Sequence, residues 1–313
     1  MDVIKVKKLK KSFNGTEVVK GIDLNVKKGE LFALLGPNGA GKTTTINMLS
    51  TLLKPDSGEA WISGKNLSTE VKEVRKKISL TGQFASLDEG LTGIQNLILI
   101  SRLHGYSRKE ASNVAERLLQ SFGLAEAKTR SISEYSGGMR RRLDIAASMV
   151  TQPELIFLDE PTTGLDPQSR IQVWEVVREL LKQGTTVLLT TQYLEEADQL
   201  ADRIGVIDHG EIIAEGTPQQ LKASIGQKTL SIQFKELSNQ EQMIRILYDH
   251  HAVNIYPSES PLVFKIPIQE AKGANEIIQT LFLQHYSIEY FSLEEPSLDE
   301  VFLTLTASKK LGG

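Results

Sequence analysis

The stretch LFALLGPNGAGKTTT (31–45) constrains the fold of this chain more than any other. Its first five residues form an apolar run typical of a buried strand, and a helix pattern follows the last glycine. Gly36, Gly41, Lys42 and Thr43 have the spacing G-x-x-x-x-G-K-T. Glycines let successive N–H groups converge on an anion, and the helix adds the positive end of its dipole. The stretch predicts a phosphate-binding loop, with Lys42 on the β and γ phosphates and Thr43 on Mg²⁺. A glycine-rich turn is the alternative.

Three further apolar runs alternate with helical patterns up to about residue 216: ISL (78–80), LIFL (155–158) and TVLL (186–189). This alternation indicates a parallel sheet covered by helices, with ligands beyond the carboxyl ends of the strands. A helical insertion lies between the runs. Its apolar residues recur at i, i+3, i+4 and i+7 from Ala111 to Phe122, and Gly123 provides a stop.

Two acids, Asp159 and Glu160, follow the run LIFL directly. Adjacent carboxylates at the rim of a buried sheet are costly unless they handle a cation or a proton. Asp159 is placed to hold Mg²⁺, usually through water, and Glu160 to polarise the water that attacks a γ-phosphate. A solvated surface pair is the alternative.

A second glycine motif, SGG at Ser136, Gly137 and Gly138, precedes another helix pattern. A helix N-terminus can bind an anion, although the motif alone is equally typical of a serine cap with two flexible residues. The arginines that follow, Arg140 to Arg142, are interpreted as a solvated stretch that faces a partner.

Taken in this order, the motifs resemble those of the ATP-binding cassette (ABC) ATPases over about the first 220 residues. Residues 36–43 are similar to the phosphate loop of that family, 155–160 to its second nucleotide motif, and 135–139 to its signature motif, as YSGGM rather than LSGGQ. The resemblance implies an α/β P-loop NTPase fold: a parallel-sheet core, an antiparallel β subdomain and a helical subdomain.

The resemblance also implies roles that spacing alone does not give. Phe13 stacks on adenine, Gln83 belongs to the Q-loop and contacts Mg²⁺ or water, and Asp166 belongs to the D-loop. Gln192 occupies the position where that family ordinarily has a histidine, so it positions water without titrating, and Glu160 handles the proton. With ATP and Mg²⁺ as cofactors, the predicted nucleotide contacts are Phe13, Gly36, Pro37, Asn38, Gly39, Ala40, Gly41, Lys42, Thr43, Thr44, Gln83, Ser136, Gly137, Gly138 and Asp166, and the predicted Mg²⁺ contacts are Thr43, Gln83 and Asp159.

The closer resemblance is to drug-exporter ATPases of the daunorubicin-resistance type, through phrases such as TTQYLEEADQLADRIGVIDHG and EEPSLDEVFLTLT. It implies a homodimer of cassettes in which each signature loop completes the other subunit's site. It also implies a separate transmembrane permease that binds the small-molecule substrate, and a peripheral location on the cytoplasmic face of the cell membrane. A soluble ABC protein acting on ribosomes or DNA, an exporter of lipid, and a regulatory ATP sensor are the alternatives.

Composition limits the partners. The net charge of −3 gives no basic footprint for nucleic acid, and the absence of cysteine leaves no disulfide framework or thiolate metal site. The longest apolar runs, such as 97–100, fall far short of the roughly 18 residues that span a bilayer. The N-terminal MDVIKVKKLKKSF lacks the apolar region of a signal peptide, so we expect none.

The sequence predicts a nucleotide-binding domain over 1–222, with its helical subdomain at about 84–152, and a C-terminal domain over 223–313. In the C-terminal part, alternating and helical patterns follow the order βαββαβ, which is typical of a small ferredoxin-like α+β domain. Pro267 suggests an edge strand, and Ser297 and Glu300 have capping-box spacing. We find no nucleotide or metal motif there, so a regulatory or dimer-stabilising module is expected.

Overall fold

The computed structural model describes residues 1–82, 87–225, 228–236, 239–251, 256–257, 260, 262–268 and 270–310. Contacts divide the chain into two units, Met1–Pro218 and Gln219–Gly313. Each unit has a hydrophobic core built from its own residues.

The first unit alternates strands and helices along the chain. Its strands are β1 (Asp2–Phe13), β2 (Thr16–Lys27), β3 (Leu31–Leu35), β4 (Ser57–Ile62), β5 (Lys65–Asn66), β6 (Ile78–Thr81), β7 (Leu155–Asp159), β8 (Thr186–Thr191), β9 (Arg203–Asp208) and β10 (Glu211–Gly216). Its helices are α1 (Lys42–Leu49), α2 (Val71–Arg75), α3 (Gly93–Leu103), α4 (Arg108–Ser121), α5 (Gly137–Ser148), α6 (Pro167–Lys182) and α7 (Leu194–Leu200), while α8 (Pro218–Ile225) begins at its last residue.

The larger sheet has the strand order β10-β9-β3-β8-β7-β6. Its strands are parallel except β10, which is antiparallel to β9. Every residue of β3 is buried, as its apolar run predicts for a central strand covered on both faces. Because β3, β8 and β7 are neighbours, the loops after them lie at the same edge of the sheet. The predicted parallel-sheet core is confirmed.

The smaller sheet, in the order β2-β1-β4-β5, is antiparallel and supplies about half of the residues in one buried cluster of the first unit. Ile4 and Leu24 of this sheet belong to the same buried cluster as Ile46 of α1 and Phe157 of β7. Helix α1 contacts β2, β7 and β8. The helix that follows the glycine loop is therefore fixed between the two sheets.

The described part of the segment between β6 and β7 contains the α-helices α3, α4 and α5. Helices α3 and α4 begin with capping boxes, at Thr92 with Gln95 and at Ser107 with Glu110, and they pack on each other. The apolar face predicted from Ala111 onward is buried in α4. Helix α5 packs on α6.

The second unit follows the predicted order. Its elements are β11 (Lys228–Phe234), α9 (Gln240–His251), β12 (Tyr256–Pro257), β13 (Val263–Ile268), α10 (Ala271–Leu283), β14 (Ile288–Glu294) and α11 (Leu298–Lys310). The sheet order β12-β13-β11-β14, with antiparallel pairs, is that of a ferredoxin-like domain. The capping box of Ser297 with Glu300 is present at the start of α11.

The edge position expected from Pro267 is wrong, because β13 lies between β11 and β12. Pro267 pairs with Thr229 of β11, whereas the described pairing with β12 involves only Phe264 and Lys265. The proline thus lies beyond the end of a two-residue ladder, where its missing N–H is tolerated. Among the helices in the described ranges, none has the length and apolar composition that a membrane span requires.

Candidate active site

The loop between β3 and α1 needs glycine for steric reasons. A Cβ atom at Gly36 would lie 2.2 Å from the carbonyl oxygen of Ile207. Gly41 has φ +105°, and a Cβ there would lie 2.9 Å from the carbonyl oxygen of Val18. Gly39 is also left-handed, at φ +81°. Gly41 is the N-cap of α1 and has no side chain, so the first N–H groups of the helix are open to an anion.

Lys42 is fixed over this loop. Its side chain is only 4 % exposed, and its Nζ donates to the carbonyl oxygens of Gly36 at 2.8 Å and Pro37 at 3.1 Å. The same Nζ lies 3.4 Å from Oε1 of Glu160. The ammonium therefore joins the glycine loop to the end of β7.

Asp159 connects the ends of β7 and β8 to the start of α1. It is 5 % exposed, and its Oδ1 accepts hydrogen bonds from the hydroxyls of Thr43 at 3.2 Å and Thr190 at 2.5 Å. Two of the predicted Mg²⁺ contacts, Thr43 and Asp159, are thus adjacent. Hydroxyl and carboxylate oxygens are the donors that Mg²⁺ takes, so this pair fits that ion.

Glu160 has an unusual backbone for a residue with a side chain, with φ +47°. Its N–H donates to the carbonyl oxygen of Thr190 at 3.1 Å and lies 3.2 Å from the Thr190 hydroxyl. Its carboxylate accepts from the Thr163 hydroxyl at 3.2 Å. Left-handed conformations of non-glycine residues persist where neighbouring groups hold them, and they cluster at functional sites.

Gln192 follows the last residue of β8, half-buried, close to the glycine loop. The carbonyl oxygen of Thr191 accepts the N–H of Gly36 at 3.3 Å. On the other side, the ring of Tyr193 lies 4.9 Å from the Arg170 guanidinium, which also donates to the carbonyl oxygen of Leu165. The residue after Gln192 is therefore tied to the loop before α6.

Asp166 caps α6. Its Oδ1 accepts the N–H of Ser169 at 2.9 Å and its Oδ2 accepts the Ser169 hydroxyl at 2.6 Å. These two hydrogen bonds hold the pKa of Asp166 below its ordinary value. In the described structure, this predicted nucleotide contact acts first as a helix cap.

The start of α5 carries the SGG motif. Ser136 and Gly137 are exposed, and the Ser136 hydroxyl accepts the N–H of Met139 at 3.2 Å. Gly138 is buried, and a Cβ there would lie 2.6 Å from Oγ of Ser169. The contacts described for these residues are with α5 itself and with the α6 side, not with the phosphate loop of the same chain.

Phe13, another predicted nucleotide contact, is not among the described contacts of this cluster. Phe13 ends β1, is 44 % exposed, and has the Lys11 ammonium 5.5 Å from its ring. Gln83, which is predicted to contact Mg²⁺ or water, lies outside the described residues.

Arg141 is buried, whereas the arginine triplet was expected to be solvated. It is 8 % exposed and donates to the carbonyl oxygens of Gly82, Asp159 and Pro161. Its sequence position gives a signal that was missed, because it lies at i+3 from buried Gly138 and i−4 from buried Ile145.

Glu196 is a second buried charge outside the predicted site. Its Oε1 accepts the Thr162 hydroxyl at 2.8 Å and the Trp174 indole N–H at 3.1 Å. Burial raises the pKa of its carboxyl, although hydrogen bonds from Thr191, Thr162 and Trp174 act in the opposite direction. Glu196 thereby joins α7, α6 and the loop after β7.

These contacts belong to one class of protein, the cassette that binds and hydrolyses ATP. The family model described as ABC transporter matches residues 19–163, and that of the C-terminal domain of DrrA1-3-like ATP-binding proteins matches residues 216–306. The chain belongs to the family of ABC transporter ATP-binding proteins.

Curated relatives match almost the whole chain. It is 52 % identical over 298 residues to the daunorubicin/doxorubicin resistance ATP-binding protein DrrA of Streptomyces peucetius. The match covers 95 % of this chain and 90 % of that DrrA protein. It is 37 % identical over 307 residues to the linearmycin resistance ATP-binding protein LnrL of Bacillus subtilis, and that match covers 97 % of this chain and 98 % of LnrL.

Solved structures that are similar to this chain are also ATP-binding cassettes. An ATP-binding cassette of an ABC transporter in its ADP conformation matches with a TM-score of 0.63 and 26 % identity, over 70 % of this chain and 92 % of that one. Another is cbiO1 from Clostridium perfringens, part of an ABC transporter complex, with a TM-score of 0.66 and 25 % identity. That match covers 80 % of this chain and 96 % of the cbiO1 chain.

The predicted resemblance and fold class are therefore confirmed. The chain is the ATP-binding and ATP-hydrolysing subunit of an ABC exporter, and an ABC protein acting on a non-membrane partner is not favoured. Membership implies, in general, a membrane permease as partner and pairing of two cassettes.

Proposed function

We propose that this chain hydrolyses Mg²⁺-ATP with Glu160 as general base and Gln192 as positioning residue. The loop 36–44 binds the phosphates, with Lys42 on the β and γ groups. Thr43, Asp159 and Gln83 would hold Mg²⁺, which would supply positive charge toward the phosphate oxygens. The observation that supports this most is the pair of contacts by which Lys42 meets Glu160 at 3.4 Å and Thr43 meets Asp159 at 3.2 Å.

In the reaction, the Glu160 carboxylate accepts a proton from water as the water oxygen bonds to the γ-phosphorus. The bond from that phosphorus to the β–γ bridging oxygen breaks, which releases ADP and phosphate. The Gln192 amide donates to a phosphate oxygen and accepts from the water, and it exchanges no proton near neutral pH.

Five further residues act around the nucleotide. Phe13 stacks on adenine, and its 44 % exposure leaves a ring face available for this contact. Ser136, Gly137 and Gly138 bind the γ-phosphate in the site of a second copy, next to that copy's phosphate loop, and Asp166 lies at the same interface. The exposed start of α5 supports this arrangement.

The exported molecule is a drug or antibiotic bound by a separate permease, and this chain works at the cytoplasmic face of the membrane as a homodimer. The support is that relatives over most of its length are named for resistance to daunorubicin, doxorubicin or linearmycin.

The test is to co-express the full chain with a candidate ABC permease subunit from the same genome, reconstitute the purified complex in vesicles, and measure phosphate release with and without daunorubicin. We expect co-purification, stimulation by the drug, and a loss of at least about 100-fold in turnover for Glu160→Gln with ATP binding retained. Glu195→Gln, on an exposed residue of α7, is the matched control. Absence of the complex from membranes, or normal hydrolysis by Glu160→Gln, would sink the proposal.

A further inference from the structure

Arg141 is a buried cation whose contacts are mostly with the main chain. Its Nε donates to the carbonyl oxygen of Pro161 at 2.9 Å, its Nη1 to that of Gly82 at 2.6 Å, and its Nη2 to that of Asp159 at 3.1 Å. Nη1 also lies 3.4 Å from Oδ2 of Asp144. One guanidinium therefore ties α5 to the residues after β6 and at the end of β7.

A buried charge is tolerated only where hydrogen bonds and opposite charges replace water. Burial lowers the pKa of Arg141, whereas the carboxylates of Asp144, Glu196 and Asp159 raise it. The planar fork of arginine can bind several carbonyl oxygens in fixed directions at once, which a lysine ammonium cannot reproduce. The three carbonyl contacts thus require arginine and not only a positive charge.

The two carbonyls from Asp159 and Pro161 lie on either side of Glu160 in the chain. Glu160 has the left-handed φ of +47°, and its own N–H is held by Thr190. A strained residue keeps such a conformation only when the groups around it hold its peptide units. Arg141 holds the peptide unit that precedes Glu160 through the Asp159 carbonyl and also holds the residue after it through the Pro161 carbonyl, and Thr190 accepts the Glu160 N–H.

We propose that Arg141 is a positioning residue for ATP hydrolysis, which holds Glu160 in the backbone conformation from which its carboxylate meets Lys42. The proposal rests on the proposed role of Glu160 as general base. Because Arg141 belongs to the helix that begins with the SGG motif, it also joins the position of that helix to the position of the base.

The test compares Arg141→Lys and Arg141→Gln with Arg142→Lys in the full-length chain. Arg142 is the matched control because it lies in the same helix and donates to the carbonyl oxygen of Phe122, away from β7. For both Arg141 variants we expect kcat for ATP to fall by at least about 10-fold, with KM and nucleotide affinity within about 2-fold, since small misplacements of a catalytic group are costly. Arg142→Lys keeps its kcat within about 2-fold of the unmodified chain.

A second measurement separates positioning from general damage. In chains that already carry Glu160→Gln, adding Arg141→Lys should change turnover by less than about 2-fold, because the group that Arg141 positions is gone. The proposal would be overturned if Arg141→Lys lowered turnover by the same factor in the Glu160→Gln chain as in the unmodified chain. A normal kcat for Arg141→Lys would also overturn it, as would circular dichroism spectra showing that neither Arg141 variant folds. Normal hydrolysis by Glu160→Gln alone would instead overturn the proposed role of Glu160.

Discussion

At the residue scale, Gln192 is the residue through which the proposed mechanism predicts how hydrolysis responds to pH. It follows Thr191, whose carbonyl oxygen accepts the N–H of Gly36 in the phosphate loop. An amide donates and accepts hydrogen bonds without titrating, whereas a histidine there would change charge near neutrality. Proton handling is therefore left to Glu160 under the proposed mechanism.

We predict that Gln192→Ala slows hydrolysis by about 10-fold or more while ATP binding survives, because the water loses its orienting group. Gln192→His should restore turnover in part and add an ionisation near a pKa of about 6.5 to the profile of kcat against pH. Gln199→His, an exposed residue in α7, is the control and should leave that profile unchanged. Identical profiles for both histidine variants would contradict the predicted role.

At the element scale, the helices around the site are held by close packing and by buried polar groups. Gly138 brings the start of α5 against Ser169 on α6, and Glu196 of α7 binds Trp174 of α6. Displacing α6 would therefore disturb both the SGG motif and the segment after Gln192.

Gly138→Ala should destabilise the protein by about 1–3 kcal/mol, because the new Cβ would lie within 2.7 Å of two atoms of Ser169. Gly273→Ala is the control: this helical glycine of α10 has no atom within 4 Å of a built Cβ. Alanine there should be neutral or stabilising by up to about 1 kcal/mol. Urea denaturation measures both, and equal stabilities would disprove the steric argument.

Glu196 predicts a pH dependence of stability. Its pKa is raised from the ordinary 4.5 in the folded protein, so the folded state keeps a proton that the unfolded chain releases. Its contribution to stability is complete below the unfolded pKa and falls as pH rises toward the folded pKa. The melting temperature of Glu196→Gln should therefore rise relative to that of the unmodified chain as the pH increases above 4.5. Exposed Glu195→Gln should show no such trend.

The sequence predicted the buried strands well but did not predict which charged residues are buried. The run LFALL coincides with β3, because five consecutive apolar residues between turn signals have few alternatives to a buried strand. Arg141 and Glu196 were missed as buried residues, since a charged side chain is ordinarily exposed and only distant partners can bury it. Arg141 finds such partners at Gly82, 59 positions away in the chain. Periodicity contains no information on contacts of that kind.

At the scale of the whole molecule, each unit has its own core, so we expect the nucleotide-binding unit to act without the C-terminal one. A chain ending at residue 222 should bind ATP with unchanged affinity but form fewer dimers and support less transport. Sedimentation and nucleotide titration measure the first two, and drug export from vesicles the third. Unchanged assembly and transport would rule out the regulatory or dimer-stabilising role of residues 223–313.

The hydrogen bond from Trp174 to Glu196 has an optical consequence. The chain contains two tryptophans, and Trp174 is 7 % exposed, whereas Trp61 is less buried on β4. In a Trp61→Phe chain, all indole fluorescence would come from a ring whose N–H shares its acceptor oxygen with Thr162, two residues after Glu160. The emission of that chain would follow rearrangements of the loop after β7 in real time, without any attached dye.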